Sequence, residues 1–426
     1  MKFRVLLTLV TTCLCANAPG IGAQTAFRSL TVDEAVNEAV QKNLALIAER
    51  ANLTIAEAAL ISARLRPNPV LSGSAESLDV LGTGFDTINN AGPPQYSVRV
   101  DVPFERGHKR ELRAELAGQA KQVAEAQVGD VLRRLKLDVT LAAIDVLEAK
   151  AKLQLAEENL QTLNTLVQLN EQRLRSGAIP QLEVTRSRVA MLQYRGSVKT
   201  AQLALTEARL KLVPLLGRQP DEPPVDIDDR LGITPTAAPD LAALQLAARA
   251  TRPDLLALHS DQARTQADLR LQIAQGQVDY TLGAEYRREQ GVNGRGNMLG
   301  FFVSVPLPLF NRNQGEIARA DAEHDKAGRS LVSVETNIAA EVASAYQEFE
   351  SSRELLTDIE RDLLTPTRDA RAGTTYVYQA GATSLLDVLD AQRAFNDTME
   401  TYYSAQAAYR RAQARLALAV NKDVLP

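Results

Sequence analysis

The 426-residue chain has no tryptophan, only three histidines and two cysteines, and aromatics make up 4% of it. Both cysteines, Cys13 and Cys15, lie near the start. Everything after them is therefore without disulfides and without thiolate metal ligands. His108, His259 and His324 have no spacing that suggests a metal site, and His108 and His324 read as solvated residues near helix starts. No nucleophile motif and no phosphate-cradling loop is present, so neither an enzyme nor a cofactor is expected. A net charge of -4 argues against a nucleic-acid partner. Beyond the first residues no segment approaches 18 consecutive apolar positions, so a membrane location would have to rest on something other than helices.

The N-terminus has the layout of a secretory signal peptide: a basic start (Lys2, Arg4), an apolar run from Val5 to Cys15, and small residues up to Ala23. Cleavage is expected after Ala23, giving residues 1–23 as the signal. Lipidation of Cys13 and a buried N-terminal helix are the competing readings.

What the chain has in abundance is Ala, Leu, Gln, Glu and Arg, the composition of long helices. From Leu132 every seventh residue is apolar: Val139, Val146, Leu153, Leu160, Val167 and Leu174. Leu135, Ala142, Ala149, Ala156, Leu163 and Asn170 follow three residues after the first six, giving a sustained 3.5-residue period. Ser176-Gly177-Ala178-Ile179-Pro180 breaks this helix, and a return series runs Val184, Met191, Val198, Leu205, Leu212. The pattern repeats 204 positions later: Gly381-Ala382 matches Gly177-Ala178, and Val388, Phe395, Tyr402, Tyr409 and Leu416 match the return series.

Ahead of each long helix the period falls to two. Tyr96, Val98, Val100 and Val102 alternate with Ser97, Arg99 and Asp101; Leu71, Gly73 and Ala75 form a weaker alternation before them. In the second half Tyr280, Leu282, Ala284 and Tyr286 alternate with polar residues, and Phe301, Val303 and Val305 form one face of a fourth strand whose polarity Phe302 breaks. Strands are expected at about 69–79, 95–103, 278–288 and 297–305. Gly291–Gly296 reads as a surface loop between strands.

Two repeats, 24–217 and 241–426, are thus expected, each running helix, strand, loop, strand, long helix, tight turn (176–180 or 379–384), helix. Residues 218–240, in the proline-rich stretch between the halves, are read as a linker or equatorial segment. The opening helix is expected to run unbroken from Thr31 to about Leu65, and Pro366 to kink the second long helix. The fold class is mainly α with a small β part. Four strands leave open edges, and their apolar face is explained by lipid in a barrel shared between copies or by a soluble sandwich.

Tyr378-Gln379-Ala380-Gly381-Ala382-Thr383-Ser384-Leu385-Leu386-Asp387-Val388-Leu389-Asp390-Ala391 resembles the periplasmic tip of the TolC family of outer-membrane efflux channels, and Arg173–Gly177 resembles the partner tip. Arg64–Pro69 and Pro306–Glu316 resemble the CzcC-type, heavy-metal branch. The resemblance implies a homotrimer with a twelve-stranded barrel in outer-membrane lipid and an α-helical tunnel in the periplasm. It also implies a periplasmic adaptor and an inner-membrane pump as partners. By resemblance Asp387, Asp390 and Tyr378 are gate residues. Asp387 and Asp390 also fit as favourable charges at a helix start. Thr383 stands where the best-known members have an arginine, and Glu183 aligns with Asp387. Arg173, Leu174, Ser176, Gly177, Ala380, Gly381 and Thr383 are the expected adaptor contacts. The alternative function is a soluble periplasmic coiled-coil adaptor or scaffold.

Overall fold

The computed structural model describes residues 28–82, 84, 94–219, 222, 225–237, 239–291 and 294–422. The signal segment, with Cys13 and Cys15, lies outside the described residues. The first repeat runs β1 (Arg28–Leu30), α1 (Val32–Lys42), α2 (Leu44–Ala63), β2 (Val70–Glu76), β3 (Gln95–Phe104), α3 (Lys109–Arg175) and α4 (Gln181–Leu215). β4 (Val225–Ile227) follows. The second repeat runs α5 (Leu241–Thr251), α6 (Pro253–Gln275), β5 (Tyr280–Gly291), β6 (Gly294–Ser304), α7 (Gln314–Asp358), a π-helical turn (Ile359–Leu363), α8 (Leu364–Gln379) and α9 (Leu385–Val420).

α3 is one uninterrupted helix of 67 residues, about 100 Å long. Its heptad residues Val139, Val146 and Val167 are buried, as are Leu135, Ala142 and Leu163. Ala143, Ile144 and Leu147 are buried as well, because the helix has neighbours on more than one side. α2 and α6 pack along it, and so do α4 and α9.

Each opening helix is broken, contrary to the single run expected from Thr31 to Leu65. Asn43 is extended (φ -61, ψ 122), ends α1 and caps α2 by accepting from Leu46 N at 3.1 Å. Its amide donates to the Leu215 carbonyl at 3.0 Å, so α2 begins where α4 ends. The second repeat has the same join with the roles exchanged. There Arg252 is extended before Pro253, and Asn421, at the end of α9, donates to the Thr251 carbonyl at 2.7 Å. An apolar stripe does not reveal such a break, because Leu44 and Ile47 continue the period while remaining exposed.

The segment between the repeats is more than a linker. β4 pairs in parallel with β1 (Arg28 with Val225, Leu30 with Ile227), and Val225 and Ile227 are fully buried. Its three residues are too short to show a period. In the second long helix the irregularity lies just before Pro366. The ring supplies no N–H and crowds the carbonyl four residues back, and the π turn at 359–363 absorbs the mismatch.

The remaining strands form one antiparallel sheet in the order β2-β3-β5-β6. β5 and β6 extend into the expected Gly-rich loop, pairing Gly291 with Gly294; residues 292 and 293 are outside the described residues. Glycine lacks a side chain but keeps both ladder groups, so the composition signals a turn where the ladder continues.

Candidate functional site: the helical tip and the open sheet

Both tips are built by the same backbone device. In the first, Gly177 has φ +75, its N–H donates to the Leu174 carbonyl at 3.0 Å, and Ala178 N donates to the Arg173 carbonyl at 2.9 Å. In the second, Gly381 has φ +81, its N–H donates to Tyr378 O at 2.9 Å, and Ala382 N donates to Val377 O at 3.0 Å. These paired bonds end each helix in a left-handed residue, which glycine adopts without strain. Gly177, Ser176, Ala380 and Gly381 are exposed, while Leu174 and Thr383 are half-buried.

Arg173 crosses between the repeats. Its guanidinium donates to the Tyr378 carbonyl at 3.1 Å and the Gln379 carbonyl at 2.7 Å, and lies 4.9 Å from the Tyr378 ring centroid. A cation on the last carbonyls of α8 complements the negative end of that helix. Tyr378 is buried, and its Oη donates to Asn170 Oδ1 at 2.7 Å. Burial pushes the phenol's pKa up. Leu163, Leu166, Ala190, Leu385 and Val388 surround it as a small core of their own. Tyr378 and Arg173 are therefore brought together, and Asn170 joins them. Its signal in the sequence is an amide at an otherwise apolar heptad position.

A second buried amide, Asn159, lies one polar layer above. It donates to Asn396 Oδ1 at 2.6 Å and accepts from Gln392 Nε2 at 2.8 Å. Both its polar atoms are satisfied, so the layer ties α3 to α9 in one register.

The two aspartates have different surroundings. Asp387 completes a capping box at the start of α9. Its carboxylate accepts from Thr383 Oγ1 at 2.6 Å, from Ser384 Oγ at 2.7 Å and from Ser384 N at 3.0 Å. These bonds, that from Thr383 foremost, hold its pKa below the usual value. Asp390 is exposed and its nearest cation is Arg393, at 3.4 Å. Within one chain the two carboxylates do not meet, and Thr383 serves the cap.

The sheet has the reverse of a soluble protein's polarity. Register places Leu71, Tyr96, Val98, Val100, Leu282 and Tyr286 with Leu299, Phe301 and Val303 on one face, and that face is exposed. Phe301 is 79% exposed, whereas Glu285, on the opposite face, is 7% exposed. Among the described residues nothing pairs with the outer edges of β2 and β6.

Duplicated hairpins with paired tips, carrying an open sheet that is apolar on its exposed face and charged on the other, have the arrangement of a membrane-channel wall. The chain belongs to the outer membrane efflux protein family, whose model matches residues 35–218 and 244–422. This places it in the outer membrane of a Gram-negative bacterium as an efflux channel and removes the soluble-scaffold reading.

It is 26% identical over 365 residues to the cobalt-zinc-cadmium resistance protein CzcC of Cupriavidus metallidurans, covering 85% of this chain and 83% of that one. To the cation efflux system protein CusC of Escherichia coli K12 it is 26% identical, over 59% of this chain and 56% of that one. Among solved structures it resembles CusC (TM-score 0.75, 20% identity, 95% of both chains). It also resembles the outer-membrane channel OprN (TM-score 0.76, 20% identity, 99% of this chain and 100% of that one).

Proposed function

We propose that this chain is the exit duct of a tripartite efflux pump: a homotrimer whose three sheets close into one twelve-stranded barrel. The observation that carries this reading is the sheet with its exposed apolar face and two open edges. Four strands cannot close a barrel, whereas three copies supply twelve and leave no edge in lipid. The helical hairpins then form a periplasmic tunnel. The tip residues Arg173, Leu174, Ser176, Gly177, Ala380, Gly381 and Thr383 face a periplasmic adaptor, which joins the duct to an inner-membrane pump. The two repeats and the intervening equatorial segment are the structural units of this wall.

The tip is the gate. Tyr378, bonded to Asn170, and Arg173, bonded to the end of α8, hold the second hairpin against the first. Asp387 and Asp390 of three copies surround the narrowest opening with carboxylates, which favour cations. The cargo is divalent metal cations, a reading supported by the names of the relatives, cobalt-zinc-cadmium resistance and cation efflux. The duct itself carries out no reaction; the pump supplies selectivity among metals.

Heat-resistant trimers in the outer-membrane fraction are the expected result of cell fractionation, and a monomer in periplasmic extract overturns the reading. A deletion strain is expected to gain sensitivity to divalent metals ahead of hydrophobic drugs. In planar bilayers Asp387→Ala with Asp390→Ala is expected to raise single-channel conductance. Unchanged conductance and cation preference remove those residues from the gate.

A further inference from the structure

Phe302 breaks the polar alternation of β6 and stands opposite Gly283 on the charged face of the sheet. The Arg99 guanidinium lies 4.3 Å from its ring centroid. Arg99 also donates from Nε at 2.9 Å and from Nη2 at 2.8 Å to Asp101 Oδ1. Two glycines make room for this arrangement. A Cβ at Gly283 would collide with Asp101 Oδ1 and sit 3.2 Å from the Arg99 nitrogens; one at Gly300 would sit 3.1 Å from the Phe302 ring. The long cation therefore lies along the sheet, between a carboxylate and an aromatic face, instead of standing away from it. Glu285 faces Arg99 across the β3–β5 ladder, and Ser72 across β2–β3.

We propose that Arg99, held down over Gly283 by Asp101 and Phe302, determines which charge passes the barrel lumen. The proposal rests on the trimeric-barrel reading, under which three such clamps ring the lumen. Clamped, each guanidinium is neutralised at the wall and leaves the path open to cations. Released, three cations project into a water-filled passage with low-dielectric walls, where uncompensated charge acts strongly. The feature is a specificity determinant separate from the tip, at the other end of the helices.

The test uses full-length protein in intact cells. Beyond Cys15 the chain has no cysteine, so with Cys13→Ser and Cys15→Ser in the background Ser304→Cys places a unique thiol on the same face, one row toward the helices from Phe302 and Gly283. Its labelling is followed with two membrane-impermeant methanethiosulfonates added outside, one bearing a trimethylammonium and one a sulfonate. Gly283→Ala is expected to slow the cationic reagent relative to the anionic one by about five-fold or more, as an exposed like charge near the path should. Adding Arg99→Ala restores the original ratio. Phe302→Leu, which removes the ring without adding atoms to the hollow, is expected to act in the same direction and serves where Gly283→Ala yields no heat-resistant trimer. An unchanged ratio in intact trimers, or a change that Arg99→Ala does not reverse, overturns the clamp. Failure of both reagents to reach the thiol in otherwise unaltered trimers overturns the barrel reading instead.

Discussion

Tyr378 and Asn170 meet through one hydrogen bond of 2.7 Å that joins the two repeats at the tip. Asn170 is fully buried, and its Nδ2 has no partner among the described residues. The tyrosine hydroxyl is thus the sole satisfaction of that amide. Tyr378→Phe leaves the amide wholly unpaired and should weaken the contact between the two hairpins at the tip by about 1–3 kcal/mol. Higher single-channel conductance with an unchanged yield of trimers is the expected outcome. Unchanged conductance would show that the tip is held elsewhere.

The capping role of Asp387 can be separated by mutation from the gate role proposed for it. Ser384→Ala removes the hydroxyl that accepts from Asp387 N at 3.3 Å and donates to its carboxylate. It should loosen the start of α9 at a cost of about 1 kcal/mol while leaving the carboxylates of Asp387 and Asp390 in place. Asp390→Ala touches no cap and should act on conductance and cation preference alone. Faster amide hydrogen exchange near 384–388 in the first variant, with normal exchange there in the second, checks the division.

Acid should release the tip's cap. The Asp387 carboxylate has a folded-state pKa below its ordinary value of 3.8. Its contribution is therefore complete above about pH 4 and is lost as pH falls through the folded value. Exchange protection at the start of α9 should be flat from neutral pH to about pH 4 and decline only below it. A decline centred near neutrality would assign the cap to another group.

Glu38 and Arg218 form a buried bidentate pair, with bonds of 2.8 and 2.7 Å, where the first repeat's ends meet. The guanidinium is the main influence lowering the Glu38 pKa from 4.5, and Lys42 assists. Since the folded-state value is depressed, the pair's contribution is present above about pH 4.5 and lost as pH falls through the folded value. Glu38→Gln leaves Arg218 buried without its counter-charge and should destabilise by about 3–5 kcal/mol. Thermal unfolding in detergent from pH 7 down to pH 3 should show a lower midpoint and a shallower acid slope than the parent.

Gly217 ends α4 in the left-handed region (φ +69), and a Cβ there would overlap the Lys42 carbonyl. Gly217→Ala therefore meets both a backbone penalty of about 1–3 kcal/mol and a collision that only movement of α1 relieves. Gly177→Ala, equally left-handed but with open space around it, should suffer the backbone penalty alone. A larger loss of thermal stability in the first variant is the expected ranking.

The duplicated hairpins were legible in the sequence because their period is long and their breaks carry glycine. The seven-residue spacing from Leu132 to Leu174 and the match of Gly177 with Gly381 need no partner to be seen. The strands were legible in the same way, although their apolar face by itself leaves a sandwich core open beside a lipid-facing wall. Their boundary at Gly294–Gly296 was hidden, because glycine satisfies a ladder and a loop alike. Tyr378, Asp387 and Asp390 were singled out by resemblance; the pairing of Tyr378 with Asn170 was not.

What the sequence alone determined is local: helical period, strand alternation, the left-handed turns and the duplication. Only the tertiary structure decided the rest. Asn43 breaks its helix because Leu215 offers a carbonyl at that point, and three residues become β4 because β1 lies alongside. Phe302 tolerates a charged face because Arg99 covers it. Each of these depends on a partner far along the chain, and a local pattern carries no information about a contact that only folding creates.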